Sequence, residues 1–284
     1  MTLPFSPLVD AALLAAHLGS PELRVLDIRY DAEAQARFEG AHVPGAVHSN
    51  YATEGWRGVA GGVRNIAPPL QDFAALLGRL GVAPAHHVVI VTPGESPNHA
   101  AGAARAYWTF KLIGHERVSI LDGGMRAWLA DPARPVESGP SPRFNGPAYP
   151  VRPNPRVLSG LAATQAAMAS GAAVLLDARA ESFFRGEEKS GDVLRPGRLP
   201  GAVASNYVEA VEPATGLLKP LDQLRAIHAA LGDGPVINYC NTGHTAALNW
   251  FVLSEMLGRA DISLFDGSLS QWALDPARPL ATGP

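Results

Sequence analysis

One cysteine stands in 284 residues, at position 240. A chain with a single thiol forms no internal disulfide and offers no two-cysteine metal site. Charge is sparse as well: 17% of the residues are Asp, Glu, Lys or Arg, and the formal net charge is -3. That balance gives no electrostatic reason to expect nucleic acid or a membrane surface as a partner. No apolar run approaches the roughly eighteen residues that span a bilayer. The N-terminal stretch M-T-L-P-F-S-P-L-V-D-A-A-L-L-A-A-H-L-G lacks a basic n-region and is interrupted by Asp10. It reads as an amphipathic first helix, not as a signal peptide. The expected location is cytoplasmic, where a lone thiol stays reduced.

What the chain does have is repetition. V-L-D-I-R (25–29) recurs as L-L-D-A-R (175–179), and H-V-P-G-A-V-H-S-N-Y (42–51) as R-L-P-G-A-V-A-S-N-Y (198–207). L-D-G-G-M-R-A-W (121–128) recurs as F-D-G-S-L-S-Q-W (265–272), and D-P-A-R-P-V (131–136) as D-P-A-R-P-L (275–280). The order is kept, and a period of about 150 residues marks a duplicated domain, far longer than a solenoid repeat. Between the copies, residues 137–155 carry six prolines and little apolar periodicity. Such a stretch suits neither a helix nor a central strand and reads as a linker laid over a surface. The expected division is a domain over 1–137, a linker over 138–155 and a second domain over 156–284.

Within each copy, apolar runs of four to six residues alternate with helical patterns of about twelve. In the second copy the strands are A-V-L-L-D-A, V-I-N-Y and I-S-L-F, and the helices are L-D-Q-L-R-A-I-H-A-A-L-G and T-A-A-L-N-W-F-V-L-S-E-M-L-G. This alternation predicts an α/β fold: in each domain a parallel sheet flanked by helices. Ligand sites in such sheets lie beyond the carboxyl ends of the strands. Cys240 falls there, directly after V-I-N-Y and directly before a helix. On composition alone a lone cysteine is a small buried hydrophobe; this position weighs against that reading.

The turn Asn241-Thr242-Gly243-His244-Thr245 lets backbone N–H groups curl toward the thiol. The start of the next helix adds unpaired donors and the positive end of its dipole. That setting favours a thiolate. Gly243 permits the turn, and Thr242 and Thr245 offer hydroxyls to a sulfur or an oxyanion. Two chemistries use such a cradle. A cysteine-dependent phosphatase requires arginine six residues after the cysteine to grip phosphate, and position 246 is alanine. Sulfur transfer through a persulfide requires only the thiolate and the donors.

In D-x-R near each domain start, H-V-P-G-A, G-H-E-R-V-S-I-L-D-G-G-M-R-A-W (114–128) and the cysteine loop, the chain resembles the tandem-domain rhodanese family. That family includes thiosulfate and 3-mercaptopyruvate sulfurtransferases, and the likeness runs from about residue 8 to the end. It implies two tandem rhodanese-like domains, no metal or organic cofactor, a small-molecule sulfur donor and a thiophilic acceptor such as cyanide or a thiol. A persulfide on Cys240 would link the two half-reactions, and the resemblance leaves the oligomeric state open. Aligning V-V-I-V-T-P-G (88–94) with P-V-I-N-Y-C-N (235–241) sets Pro93 opposite Cys240, which would leave the first copy without a nucleophile.

The family's two branches differ in the loop. C-N-T-G-H-T-A matches the mercaptopyruvate pattern C-G-[ST]-G-V-T-A except at Asn241 and His244. The proton relay proposed for that branch would correspond here to Asp31, His42 and Thr242; alternatively His42 caps the H-V-P-G turn. Against that branch, Phe183 occupies the place where an arginine commonly grips the substrate. Arg185 and Arg198 are the candidate replacements, with Lys189 and Arg195 nearby, and the missing arginine favours thiosulfate as donor. Asp177 and Arg179 read as structural partners, since the first copy keeps both as Asp27 and Arg29. The rival reading is a non-catalytic module that presents a persulfide to a partner protein.

Overall fold

Short apolar runs become strands because the helices on either side of them bury both faces. In the first half these are β1 (Leu8–Val9), β2 (Leu23–Asp27), β3 (Val47–His48), β4 (Gly58–Ala60), β5 (Val63–Ile66), β6 (His87–Val91) and β7 (Val118–Leu121). The helices among them are α1 (Ala11–Ala15), α2 (Ala34–Gly40), α3 (Leu70–Arg79), α4 (Pro97–Leu112) and α5 (Gly124–Leu129). The second half supplies β8 (Leu158–Ser159), β9 (Val174–Asp177), β10 (Val203–Ala204), β11 (Val236–Tyr239) and β12 (Ile262–Phe265). Its helices are α6 (Leu161–Ser170), α7 (Glu181–Arg185), α8 (Leu221–Ile227), α9 (Ala246–Phe251) and α10 (Ser268–Trp272). The computed structural model describes residues 3–284.

Each half builds one five-stranded parallel sheet. The orders are β1-β7-β6-β2-β3 and β8-β12-β11-β9-β10, the same topology twice. The fold is therefore the α/β class expected. Every residue of the central strands β6 and β11 is buried. The helix after Cys240 departs from expectation: its α-helical part stops at Phe251, and Val252–Met256 continue as a π-helical turn.

The repeated D-P-A-R-P acts as a clasp on the helix before it. Trp128 and Trp272 are fully buried, and their indole N–H groups donate to Pro135 O (3.0 Å) and Pro279 O (2.9 Å). Arg134 donates to the Ala127 and Trp128 carbonyls, and Arg278 to those of Gln271 and Trp272. These carbonyls end α5 and α10 and have no helical partner of their own. The asparagine-like turn is completed when Asp131 and Asp275 accept the N–H two residues on.

The chain divides into two compact units that are not contiguous in sequence. One holds the described residues up to Arg57 together with Pro68–Pro153 and Glu212–Leu218. The other holds Gly58–Ala67, Asn154–Val211 and Lys219–Pro284. In the first unit Leu218 N–H donates to Asp122 Oδ1 (2.9 Å), and in the second Ala67 N–H donates to Asp266 Oδ2 (2.8 Å). The two aspartates are the repeated D-G aspartates.

The proline-rich segment is bound to the first unit through Pro153. Tyr149 N–H donates to Ala74 O and Arg152 N–H to Ile113 O, both at 2.9 Å. The Tyr149 hydroxyl donates to His115 Nδ1 (2.7 Å), while His115 Nε2–H donates to Arg117 O (3.0 Å). Burial pushes the His115 pKa down to about 4, so the ring stays neutral and Nδ1 remains an acceptor.

Candidate active site

Strand β11 ends at Tyr239, and Cys240 follows it at the carboxyl edge of the second sheet. The thiol residue is 2% exposed. Its peptide is pinned on three sides by α10: Cys240 N–H donates to Ser268 Oγ (3.1 Å), Leu269 N–H to Cys240 O (3.1 Å), and Ser270 N–H to Asn241 O (2.9 Å). Ser268 Oγ in turn donates to Phe265 O (2.8 Å). Gly243 takes φ +75°, the left-handed turn expected of it. The N–H groups of Asn241, Thr242 and Thr245 have no partner among the described residues, and neither do the Thr242 and Thr245 hydroxyls. These donors belong to the turn that directly follows Cys240. His244 is half-buried in the same turn.

Beneath the loop lies a buried ion pair. Arg179 Nε and Nη2 donate to Asp177 Oδ1 (2.8 Å) and Oδ2 (2.6 Å), and Nη2 also donates to Gly197 O (2.8 Å). The remaining nitrogen, Nη1, reaches Asn241 Oδ1 at 3.4 Å. Burial works against the guanidinium charge, but the Asp177 bonds and the nearby Tyr239 and Cys240 outweigh it, and the Arg179 pKa is raised. Arg179 is thus more than a loop brace: it orients Asn241 and places a fixed positive charge near the sulfur. With Asn241 Oδ1 turned to Arg179, the Asn241 amide N–H groups face away from it. Tyr239 is fully buried, its pKa raised well above the usual value by burial and by Asp177, so its hydroxyl stays protonated.

The first copy shows what the second has added, and it corrects the sequence alignment. Asp27 pairs with Val91 across the sheet, whereas Asp177 pairs with Tyr239. Ile28 N–H donates to Val91 O and Ala178 N–H to Tyr239 O, while Met125 N–H donates to Thr92 O as Leu269 N–H does to Cys240 O. The residue opposite Cys240 is therefore Thr92, and Pro93 lies opposite Asn241. The apolar strands V-V-I-V and V-I-N-Y accept either register on composition, so sequence had no means of choosing. Opposite Ser268 stands Gly124 (φ +55°), where a Cβ would meet Thr92 O at 2.2 Å. Ser268 is the residue that sequence reasoning missed. Its signal was there: D-G-G in the copy without cysteine becomes D-G-S in the copy with it.

The remaining candidates are placed elsewhere. Asp31 accepts from Arg37 Nη1 (2.8 Å) and from Glu33 N–H (3.0 Å). His42 is buried and stacked on Phe38 at 3.9 Å, with Nδ1 against Phe38 O (2.7 Å) and Nε2 3.9 Å from Glu137. No hydrogen bond joins Asp31 to His42, so the expected relay pair is not assembled, and His42 serves its turn. Arg198 is no substrate clamp either: its guanidinium donates to the Phe184, Gly283 and Pro284 carbonyls and lies over the Phe184 ring. Arg195 is spent on the carbonyls of Ala273, Asp275, Pro276 and Arg278. Arg185 pairs with Glu181 at 2.7 Å on α7, on which Phe183 is half-buried, and Lys189 is exposed.

Among the described residues no helix is long and apolar enough to cross a membrane, and no group of three His, Cys, Asp or Glu side chains is placed to hold a metal ion.

A model of the rhodanese-like domain matches residues 10–131 and again 161–275. The chain is 32% identical to a thiosulfate sulfurtransferase of Corynebacterium glutamicum, over 97% of this chain and 90% of that one. It is 34% identical to a probable 3-mercaptopyruvate sulfurtransferase of Pseudomonas aeruginosa, over 97% and 98%. The crystal structure of the 3-mercaptopyruvate enzyme SseA from Escherichia coli superposes with a TM-score of 0.79 at 29% identity, covering 93% of this chain and 99% of that one.

Proposed function

Because this chain belongs to the rhodanese-like family and carries two copies of the domain in tandem, we propose that it is a sulfurtransferase working through a persulfide on Cys240. The observation that carries this reading is the arrangement around the sulfur. The N–H groups of Asn241, Thr242 and Thr245, in the turn that directly follows Cys240, have no partner among the described residues, and the Arg179 charge interacts with Cys240. In the first step the Cys240 thiolate attacks the outer sulfur of thiosulfate. A Cys–S bond forms, the sulfur–sulfur bond of thiosulfate breaks, and sulfite leaves with the electron pair. In the second step a thiophile such as cyanide attacks the terminal sulfur, the persulfide bond breaks, and thiocyanate leaves with the thiolate restored. No external oxidant or reductant is needed. Preorganised donors favour charge on the terminal sulfur without reorganising.

Thiosulfate is the favoured donor. No arginine stands at Phe183, and the candidate basic side chains are engaged: Arg185 with Glu181, and Arg195 and Arg198 with backbone carbonyls. A keto-acid carboxylate therefore finds no free guanidinium fork in this segment, whereas the loop N–H groups and the Asn241 amide suit the compact sulfonate end of thiosulfate. Intact-mass spectrometry after incubation with thiosulfate tests the mechanism. One added sulfur atom on the wild type and none on Cys240→Ser is the expected result; equal addition to both would overturn the persulfide. Steady-state rates with thiosulfate and 3-mercaptopyruvate then test the donor, and a higher kcat/KM for 3-mercaptopyruvate would reverse the choice.

A further inference from the structure

The turn that follows Cys240 is tied at both ends to one residue, Asp177. At its start, Arg179 binds the Asp177 carboxylate (2.8 and 2.6 Å) and reaches Asn241 Oδ1 (3.4 Å). Past its other end stands Asn249, which is 1% exposed and lies one helical turn beyond Thr245, on the same side of α9. Its amide Nδ2 donates to Ser205 O (2.8 Å), and Ser205 N–H donates to Asp177 O (2.8 Å). Asp177 in turn is the residue paired with Tyr239 across the sheet, directly before Cys240. We propose that Asn249 is a positioning residue for sulfur transfer: it fixes the start of α9, and with it the N–H and hydroxyl of Thr245, against the strand end that carries Cys240. The proposal rests on the persulfide reading and names the residue that aims the helix.

The form of α9 makes such an anchor necessary. Its regular part has six residues, and Val252–Met256 widen into a π-helical turn. So short a helix has too few internal hydrogen bonds to hold itself in line, and its direction is set by what its side chains grip. Asn249 grips the segment after β10, and the next residue, Trp250, donates from its indole to Ile262 O (3.1 Å) in β12. The first unit supplies the comparison. Ser49 stands where Ser205 does in the repeated S-N-Y, and its N–H donates to Asp27 O (3.0 Å). No donor reaches the Ser49 carbonyl among the described residues, and α4, which follows the loop without a thiol, is a regular helix of 16 residues. The anchor is present in the unit that carries the cysteine and missing from the one that does not.

Steady-state kinetics of the full chain with thiosulfate and cyanide test this, with circular dichroism and urea unfolding on the same samples. Asn249→Leu keeps the approximate volume and removes the amide. It should lower kcat about tenfold or more and leave KM within about twofold of the wild type, as loss of an aligned transition-state donor does. Asn249→Ser, whose hydroxyl is too short to reach Ser205 O, makes the same comparison where the leucine variant does not fold. Thr164→Val controls for lost stability. Thr164 is buried on α6 in the same unit, bonded to Ser159 Oγ and Gly160 O, and its variant should lower the urea midpoint and keep the wild-type kcat. The proposal is overturned if the folded Asn249 variant keeps the wild-type kcat, if KM alone changes, or if Thr164→Val loses kcat to the same extent. Intact mass after mixing with thiosulfate separates the two levels. A wild type that takes up no sulfur overturns the persulfide reading and this role with it, whereas an Asn249 variant that loads as fast as a loading wild type overturns the positioning role alone.

Discussion

Ser268 holds a left-handed backbone (φ +47°) although it carries a Cβ, a conformation that costs an ordinary residue about 1–2 kcal/mol. The repeat explains why glycine, used at the same place in the first copy, does not serve here. Cys240 N–H is buried and needs an acceptor, and Ser268 Oγ is the one it has. Leaving such a donor unpaired costs about 1–3 kcal/mol. Ser268→Ala keeps the strain and orphans the donor, whereas Ser268→Gly relieves the strain. Urea unfolding should therefore rank wild type above Gly and Gly above Ala, with Ala lower by about 1–3 kcal/mol. Both variants free the Cys240 peptide to rotate, so kcat/KM with thiosulfate should fall at least about tenfold, the effect of misplacing a nucleophile. A Gly variant at full rate would show that the peptide needs no such anchor. A rise in KM alone, with kcat intact, would place Ser268 in binding instead.

The short segments 58–67 and 212–218 each belong to the unit that does not hold their sequence neighbours, and each ends on a D-G aspartate. For segment 212–218 the acceptor is Asp122, whose pKa burial pushes up to about 6 from an ordinary 3.8, with Asp10 adding to the rise. A raised carboxylate pKa means the folded state binds the proton more tightly between pH 4 and pH 6. Stability then falls as pH rises through that window, by about 2 kcal/mol at most once the partial exposure is allowed for. Asp122→Asn keeps an acceptor oxygen for Leu218 N–H but cannot ionise. Its advantage over the wild type should be larger at pH 7.5 than at pH 4.5, measured as urea midpoints at both values. A constant difference across pH would show that Asp122 is not the titrating group. These elements also mark how far sequence reaches. Repeated D-x-R, D-G and D-P-A-R-P disclosed the duplication and the sheet-helix alternation, because local chemistry repeats with them. The exchanged segments were illegible, since β4, β5 and residues 212–218 carry no repeat signature that names a distant acceptor. The position opposite Cys240 was misread by one residue, because a strand buried on both faces has no polar face to set its register.

At the scale of the whole molecule, duplication provides an internal control on what makes a cysteine loop work. Both units share the topology, the buried Asp–Arg pair and the helix that clamps the loop from the following strand. They differ at three contacting places: Thr92 for Cys240, Pro93 for Asn241, and Gly124 for Ser268. Thr92 is 3% exposed, as buried as Cys240 is, so a thiol there would occupy a similar depth. If the thiol alone defined the site, moving it would move the activity. The structure argues otherwise: at position 92 the thiol would face Pro93, which donates no backbone N–H, and Arg29 would have no amide to orient. The double variant Thr92→Cys/Cys240→Ser should therefore show less than about 1% of the wild-type sulfur-transfer rate, with no sulfur added at position 92. Circular dichroism and urea unfolding should show it folded, because threonine and cysteine are close in volume. Thr92→Cys with Cys240 intact should keep the wild-type rate and load sulfur only on Cys240. Recovered activity in the double variant would mean that the fold, with a thiol at a strand end, suffices without the donors of Asn241 and the anchor of Ser268.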